Sequence, residues 1–455
     1  MWKGKPEITV VGGGLAGCEA VWYLASRGFF VHLLEARDHV RTHAPFRGSG
    51  LAQLVCSNSL KSDDPLRPSG LLKRELEQLG SLLIPIARRY AVAAGTALAV
   101  DREAFSHDVT RILESCPNIH IERQEVQAVP AEPVIVATGP LTLPALEHDL
   151  VRAVGHHGLY FYDAIAPVVE ADSIDWDFAF FASRWNRDAE KKDITSEEEG
   201  DYVNCPMNQA EYDAFVHAIA TAEKVPPHAF EELCYFENCS PVELMVERGH
   251  DVLRFGPLRP VGLKDPKTGR RPWAVVQLRA ENRHRTAFNL VGCQTRMTRP
   301  AQERVFRLIP ALHRARFLRY GEIHRNTYVD APRFLESGIF LPNRPLAALS
   351  GLLVGVEGYV ESMAMGLYAA MKLVARLQER EFVEPPPTCA LGALAWYIQH
   401  ATAPYMPTNV HWGLWPPLEN SPRDRARRRE MLVARARSDF ANWLGAQKKQ
   451  GDRYV

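Results

Sequence analysis

Residues 8–35 read ITVVGGGLAGCEAVWYLASRGFFVHLLE, and this stretch decides the fold. Its first four residues are all β-branched, which predicts a short, buried, parallel strand. Gly12, Gly14 and Gly17 follow with G-x-G-x-x-G spacing. A helical stretch comes next, and then a second strand that ends at Glu35. This order of strand, glycine turn, helix, strand and acid predicts a dinucleotide-binding unit.

Each part of the glycine turn has its own expected task. Gly12 allows the tight turn out of the strand, Gly14 lets a pyrophosphate approach the backbone, and Gly17 lets helix and strand pack closely. The helix start, at Leu15 and Ala16, presents free N–H groups and its dipole to the phosphate charge. The alternative is an ordinary glycine-rich turn, and the flanking strands, helix and acid argue against it.

Glu35 stands at the position where an acidic residue hydrogen-bonds the adenosine ribose in dinucleotide-binding folds. Its carboxylate can accept hydrogen bonds from both ribose hydroxyls, and it would repel a 2′-phosphate. The site is therefore expected to suit FAD or NAD rather than NADP.

The composition is that of a soluble globular protein. The 455 residues are 46% hydrophobic and 24% charged, and the formal net charge is +0. No apolar run approaches the ~20 residues that span a bilayer. The first strand begins close to Met1 and leaves no room for a signal peptide, so we expect a cytoplasmic protein without membrane contact.

The eight cysteines are expected to be reduced in that compartment. They form no C-x-x-C pair, and no residues have zinc-ligand spacing, so no metal site is expected. With zero net charge, any binding of nucleic acid must rely on a local basic patch.

The alternation of strand-like and helix-like segments changes twice along the chain. It stops near residue 160 and returns with the apolar, glycine-containing stretch 346–356. We therefore expect a discontinuous α/β domain made of 1–159 and 325–455, with a basic C-terminal tail. The segment between them, 160–324, is expected to form an inserted α+β domain.

Ten segments together resemble one known family along nearly the whole chain. They are GGGLAGCEA at 12–20, VCSNSL at 55–60, ALAVDREAFS at 97–106, VIVATGPLT at 134–142, DYVNCPM at 201–207, FENCSPVE at 236–243, FGPLRPVGL at 255–263, RYGEIHRNTYVDAPRFL at 319–335, LVGVEGYVES at 353–362 and MPTNVHWGLWPPL at 406–418. In collinear order they resemble the folate- and FAD-dependent tRNA uracil-5-methyltransferase family, TrmFO.

The resemblance implies a fold and a reaction. The fold is a glutathione-reductase-like Rossmann FAD-binding domain, discontinuous, with an inserted domain. The reaction is C5-methylation of a uridine in the T-loop of tRNA, with 5,10-methylenetetrahydrofolate as carbon donor. The flavin carries the methylene and supplies the hydride, and NADH or NADPH is the expected reductant. The oligomeric state is left open.

Such a reaction needs a nucleophilic thiol, because uracil C5 becomes reactive only after a thiolate adds to C6. Cys56 and Cys239 both lie among small polar residues. From the resemblance, Cys239 is the expected nucleophile, and Cys56 is a second functional thiol that helps to remove the C5 proton. The alternative is that either one is a small buried hydrophobe, as free cysteines commonly are.

Two further segments are assigned to the cofactor by the same resemblance. They are Thr138 and Gly139, near the pyrophosphate or ribityl chain, and Gly355, Val356, Glu357, Gly358 and Tyr359, along the flavin ring. The alternative for the first pair is a plain strand-ending turn, and for the second segment an ordinary turn before a helix.

A third set is assigned to folate. It combines donors, a cation and an aromatic ring, and it comprises His324, Arg325, Asn326 and Tyr328, with Asn409 facing the same cleft. The alternative is a solvated loop. The arginine run 423–429 is a candidate for tracking an RNA backbone, although a basic helical face is often merely solvated.

Three other functions stay open at this point. The same chemistry on ribosomal RNA would use the same scaffold. A flavin thiol oxidoreductase without RNA would need a cysteine pair, and the sequence has no C-x-x-C. A non-catalytic RNA-binding flavoprotein would not depend on Cys239.

Overall fold

The computed structural model describes residues 6–37, 49–155, 159–184, 200–225 and 240–449, without the side chains of 159–162, 324, 325 and 449. The strands in these ranges are β1 (Ile8–Val11), β2 (Val31–Glu35), β3 (Ser59–Ser62), β4 (Ala91–Val92), β5 (Ala97–Val100), β6 (Ile119–Arg123), β7 (Val134–Val136), β8 (Leu159–Ala164), β9 (Val168–Glu170), β10 (Phe180–Ala182), β11 (Tyr202–Met207), β12 (Ala274–Ala280), β13 (Ala287–Val291), β14 (Phe317–Arg319), β15 (Ile323–Tyr328), β16 (Phe340–Leu341) and β17 (Arg344–Leu349).

Helices alternate with these strands. They are α1 (Leu15–Ser26), α2 (Pro68–Gln78), α3 (Leu83–Arg89), α4 (Arg102–Glu114), α5 (Pro144–Val154), α6 (Gln209–Thr221), α7 (Val242–Arg248), α8 (Val252–Phe255), α9 (Arg299–Phe306), α10 (Ala331–Phe334), α11 (Tyr359–Leu377), α12 (Ala390–His400) and α13 (Arg425–Lys449). None of these described helices is both long and apolar enough to cross a membrane.

The first sheet has six strands in the order β16-β17-β7-β1-β2-β6. All its pairs are parallel except the β16–β17 pair at one edge. In the central strand β1, Val10 lies opposite Leu33 of β2 and Ile135 of β7. All three side chains are fully buried, as a parallel strand covered on both faces requires. The predicted Rossmann-type α/β class is therefore confirmed.

Helices α1 and α11 pack against each other at the glycine turn. A Cβ on Gly366 of α11 would lie 2.2 Å from the Ala16 carbonyl oxygen, which no real side chain tolerates. Gly17 is confined in the same way, because a Cβ there would lie 1.8 Å from the Gly12 carbonyl oxygen. These two glycines let both helices approach the turn closely.

The second sheet also has six strands, in the order β10-β11-β12-β13-β9-β14, and its pairs are antiparallel. A separate cluster of buried side chains covers it, including Phe215 of α6 and Phe306 of α9. The chain reaches this sheet through β8 and leaves it through β15, and these two strands pair with each other as an antiparallel ribbon. The six strands of the second sheet lie within the segment 160–324 that is predicted as the inserted domain, and β8 and β15 cross its two ends. The exact domain boundaries stay a prediction.

Candidate functional site

A cavity of about 340 Å³ opens where the parallel strands of the first sheet end, with both segments 53–61 and 357–362 on its wall. Most of the residues predicted to bind the cofactor line it. They are Gly12, Gly14, Leu15, Ala16, Glu35, Thr138, Gly139, Glu357, Gly358 and Tyr359, together with Cys56. Ligands in open α/β folds bind at this edge of the sheet.

The glycine turn and Glu35 form one end of this cavity, which we call the phosphate end. Gly12 has a φ of +100°, and a Cβ there would lie 2.7 Å from the Ala137 carbonyl oxygen. Gly14 is different, since a Cβ there would meet nothing within 4 Å. The space beside Gly14, at the start of α1, is thus open for a pyrophosphate, as the predicted task of this glycine requires.

Glu35 lies buried at the end of β2 and is held by an arginine two residues later. Its oxygens accept hydrogen bonds from the Gly13 N–H at 2.6 Å and from the Arg37 N–H at 2.9 Å. The Arg37 guanidinium adds two more, at 3.0 and 2.8 Å. Burial by itself raises the pKa of Glu35, but the bonds and charge of Arg37 outweigh burial and lower it. The carboxylate is therefore ionised.

This arrangement bears on the predicted role of Glu35 as an acceptor for both ribose hydroxyls, which stays a prediction. A carboxylate offers about four acceptor positions, and Gly13 and Arg37 already use four. Two hydroxyls can bind both oxygens only if the Arg37 side chain moves. Arg37 also lines the cavity, and it is ion-paired with Glu35 at the phosphate end.

The other end of the cavity, which we call the thiol end, consists of Cys56, Lys61, Glu357 and Tyr359. Lys61 Nζ bridges Glu357 Oε2 at 3.3 Å and Glu361 Oε1 at 3.2 Å. Burial alone lowers the pKa of Lys61, but Glu361 and Glu357 outweigh burial and raise it. Burial raises the pKa of Glu357 despite this cation. Lys61 thus joins segment 53–61 to the start of α11.

Cys56 is half-buried and anchored through its backbone. Its N–H donates to Tyr359 Oη at 2.7 Å, and its carbonyl accepts from Arg102 at 2.7 Å and Arg319 at 3.2 Å. Burial and the nearby Cys56 raise the pKa of Tyr359, so its phenol stays neutral. Burial and then Arg102 lower the pKa of Arg319 to about 10. The two guanidinium groups therefore hold the backbone of Cys56, and its Sγ donates a hydrogen bond to the Ala164 carbonyl oxygen at 3.9 Å.

Comparisons with known proteins agree with this geometry. A family model described as glucose inhibited division protein A matches residues 7–381. A Moorella thermoacetica protein named methylenetetrahydrofolate–tRNA-(uracil-5-)-methyltransferase TrmFO is 50% identical over 432 residues, covering 94% of this chain and 96% of its own. One of the same name from Geobacter sulfurreducens is 49% identical over 439 residues, covering 96% and 98%. The chain belongs to the TrmFO family.

Solved structures support the fold of this TrmFO family member. Aquifex aeolicus GidA, in its form II crystal, matches with a TM-score of 0.65 at 14% identity, covering 96% of this chain and 73% of that one. The form I crystal gives a TM-score of 0.64 at the same identity. At this identity the likeness shows the fold alone. The solved structures thus confirm the predicted Rossmann-like FAD-binding fold, and the relatives and the family model confirm the predicted family.

Three residues assigned to the cofactor lie behind the cavity wall of this TrmFO family protein instead of on it. Gly17 is confined by the backbone of Gly12, as described above. A Cβ on Gly355 would lie 2.3 Å from Tyr405 Oη, and Val356 is fully buried and bridges Thr408. This turn packs against residues 405–408, and the assignment of Gly355 and Val356 to the flavin ring stays a prediction. Only Glu357, Gly358 and Tyr359 reach the cavity.

The predicted folate set separates in the structure. Tyr328 is buried and donates a hydrogen bond to the Tyr405 carbonyl at 3.1 Å, so it packs in the core and not on the cavity wall. Asn326 is buried and donates to Asp163 Oδ2 at 2.9 Å, and Asp163 lines the cavity. Asn409 reaches Glu357 Oε2 at 3.4 Å. The side chains of His324 and Arg325, and all of Cys239, lie outside the described residues.

The remaining described cysteines have structural surroundings. Cys18, Cys205, Cys293 and Cys389 are buried, and Cys116 is half-buried and away from the cavity. Burial raises the pKa of the Cys18 and Cys293 thiols to about 12. A thiol with such a pKa is neutral and inert at neutral pH. Cys56 is the described cysteine that reaches the cavity wall.

Several site residues were missed by reasoning from the sequence. They are Arg37, Lys61, Arg102, Asp163 and Arg319. The sequence carried a signal for four of them. Lys61, Arg102 and Arg319 each lie in or directly beside a segment that carries the family resemblance, and Arg37 follows Glu35 by two residues. Asp163 had none, because only the pairing of β8 with β15 brings it to the cavity.

Proposed function

We propose that the protein methylates C5 of a uridine in tRNA, with methylenetetrahydrofolate as carbon donor and FAD as cofactor. The observation that carries this proposal is one cavity that joins an open glycine turn to an anchored, half-buried cysteine. Identities of 49–50% to proteins named for this reaction support it. The finer proposals are a uridine in the T-loop and NADH or NADPH as the reductant.

The residues on the cavity wall fit FAD. Gly14 leaves open space at the start of α1 for the pyrophosphate, and Glu35 with Arg37 offers an ion pair to the ribose. The wall continues through Thr138 and Gly139 to the start of α11. When bound and reduced, FAD supplies the one-carbon and hydride chemistry that a methylene donor requires.

The chain's own residues would activate the uracil. A Cys239 thiolate adding to C6 would form a carbon–sulfur bond and place the ring's electron pair on C5. C5 would then bond to the donated methylene carbon while that carbon's bond to its carrier nitrogen breaks, and the hydride that makes it a methyl group would come from the reduced cofactor. A base then removes the C5 proton, and the re-formed double bond expels the thiolate. Cys56 is proposed for that proton removal, because it lies on the cavity wall between Tyr359 and two arginines.

The direct test is nucleoside mass mapping of unmodified tRNA after incubation with the FAD-loaded protein, NADPH and methylene-labelled methylenetetrahydrofolate. We expect label in 5-methyluridine at one T-loop position. Label that appears only when S-adenosylmethionine replaces folate would overturn the proposal. Label in ribosomal RNA but not in tRNA would reassign the substrate.

The roles of the two thiols are tested with tRNA that contains 5-fluorouridine. Fluorine cannot leave as a proton, so the protein–RNA adduct should persist through denaturation. The adduct should disappear in Cys239→Ala and still form in Cys56→Ala. The reverse pattern would exchange the two roles.

A further inference from the structure

Outside the cavity, two histidines and a glutamate come together on the first sheet. His32 lies in β2, and His120 and Glu122 lie in β6. In the parallel register His32 is opposite His120, and Glu122 is two residues further along β6, so all three side chains project from one face. Their ligand atoms all lie within 4.8 Å of one another. We propose that these three residues form a divalent-metal site, with Zn²⁺ as the preferred ion.

The contacts among the three side chains support this proposal. His32 Nε2 is already 2.8 Å from Glu122 Oε2, and the ring centroids of His32 and His120 are 5.0 Å apart. Among the described residues, the ring nitrogens of His120 have no hydrogen-bond partner. A tetrahedral zinc ion holds its ligand atoms about 3.3 Å apart, given Zn–N and Zn–O bonds of about 2.0–2.1 Å. Small side-chain rotations would bring all three atoms to that spacing.

The chemistry of the donors selects the ion. Two imidazoles and one carboxylate suit zinc better than calcium or magnesium, which prefer all-oxygen sites. His120 is exposed and the other two are half-buried, so solvent can fill the fourth coordination position. Arg123, the next residue in β6, projects from the opposite face of the sheet.

A metal here would tie the edge strand β6 to β2 close to the phosphate end. Glu35 ends β2 three residues after His32, and the Gln124 N–H, just after β6, donates to the Glu35 carbonyl at 3.1 Å. Both Glu35 and Gln124 line the cavity. Zinc should therefore raise the thermal stability of the protein, since an ion that binds only the folded chain stabilises it.

The test uses the full-length, FAD-loaded protein dialysed against ZnCl₂, with zinc per chain counted by inductively coupled plasma mass spectrometry. His120→Ala should bind one zinc fewer per chain than wild type and should lose the zinc-induced rise in Tm. The matched control is His217→Gln, an exposed histidine of α6, and it should keep the wild-type count. Equal counts for wild type and His120→Ala would overturn the proposal.

Two further measurements test the proposal if His120→Ala misfolds, and distinguish this site from zinc bound by cysteines. Glu122→Gln keeps both imidazole rings, and it should weaken zinc binding even if His120→Ala fails to fold. X-ray absorption on the zinc-loaded wild type should show only nitrogen and oxygen neighbours. A shell at the Zn–S distance of about 2.3 Å would place the metal on cysteines and overturn the assignment.

Discussion

The two ends of the cavity are built in opposite ways. The phosphate end comes almost entirely from one continuous stretch, in which Gly12, Gly14 and Glu35 follow each other through a single βαβ unit. The thiol end brings together segments about 300 residues apart, joined by the hydrogen bond from Cys56 to Tyr359 and by the Lys61 bridge to Glu357. A local motif therefore specifies the first end, and only the tertiary fold specifies the second.

The difference assigns different tasks to the two ends. Backbone groups, small residues and the Glu35–Arg37 ion pair form the phosphate end, where any adenine dinucleotide would be held in the same way. Charged and nucleophilic side chains form the thiol end, where a particular reaction needs particular groups. We therefore expect substitutions at the phosphate end to remove the cofactor, and substitutions at the thiol end to impair the chemistry while the cofactor stays bound.

The largest effect is expected for Gly14→Val. The open space beside Gly14 would be filled by the new side chain, so the protein should fold but purify without FAD and without activity. Absorbance of the released flavin per chain measures this. Gly445→Val in α13 is the matched control, because a Cβ there also meets nothing within 4 Å, and it should keep FAD. A Gly14→Val protein with one FAD per chain would show that the pyrophosphate binds elsewhere.

The second prediction concerns Cys56→Ala, which should impair the chemistry of the thiol end without affecting cofactor binding at the phosphate end. FAD content should stay at the wild-type level, whereas methyl transfer should slow by about 10²–10⁴-fold, the usual contribution of a proton-transfer group. Initial rates with labelled folate measure this. Cys116→Ala, a half-buried thiol away from the cavity, should keep the wild-type rate. Loss of FAD from Cys56→Ala would mean that the ends are not independent.

This contrast also explains how far the sequence alone could reach. It predicted the Rossmann class and the cavity-lining residues of the phosphate end, because spacing within one βαβ unit fixes their geometry. It did not predict that the Arg37 side chain donates hydrogen bonds to the Glu35 carboxylate, because residue spacing does not determine the direction of a long side chain. It did not indicate that Gly355 and Tyr328 pack against Tyr405, because that packing depends on a contact between distant segments.

The third prediction tests the bridge that joins the thiol end together. Lys61→Met leaves Glu361, whose side chain is fully buried, without its cation. Breaking a buried ion pair costs about 3–5 kcal/mol, and since the Lys61 side chain is 34% exposed, we expect roughly 1–3 kcal/mol here. Urea unfolding followed by fluorescence measures the loss. Lys61→Arg keeps the charge and should recover most of the stability. Equal stability of Lys61→Met and wild type would mean that the bridge contributes nothing.

The smallest effect per residue is expected outside the cavity, in the arginine run at the start of α13. This run is continuous in sequence, like the phosphate end, but the spacing of its arginines does not fix where their side chains lie. Arg425 and Arg427 are exposed and Arg428 is half-buried, so they are available to phosphates. Each phosphate contact contributes a slope of about −0.7 to −0.9 to the dependence of log K on log salt. Replacing all three by alanine should make that slope shallower by about 2–3 units.

Filter binding of unmodified tRNA over a range of KCl concentrations measures this slope. The matched control replaces three exposed arginines that already form ion pairs, namely Arg111, Arg152 and Arg299. Since their charges are already balanced by carboxylates, the control should keep the wild-type slope. If both triple variants flatten the slope equally, the run is an ordinary solvated face and RNA binding is a property of the whole surface. If only the α13 variant does so, a continuous stretch of sequence specifies an RNA contact as directly as the glycine turn specifies the phosphate end.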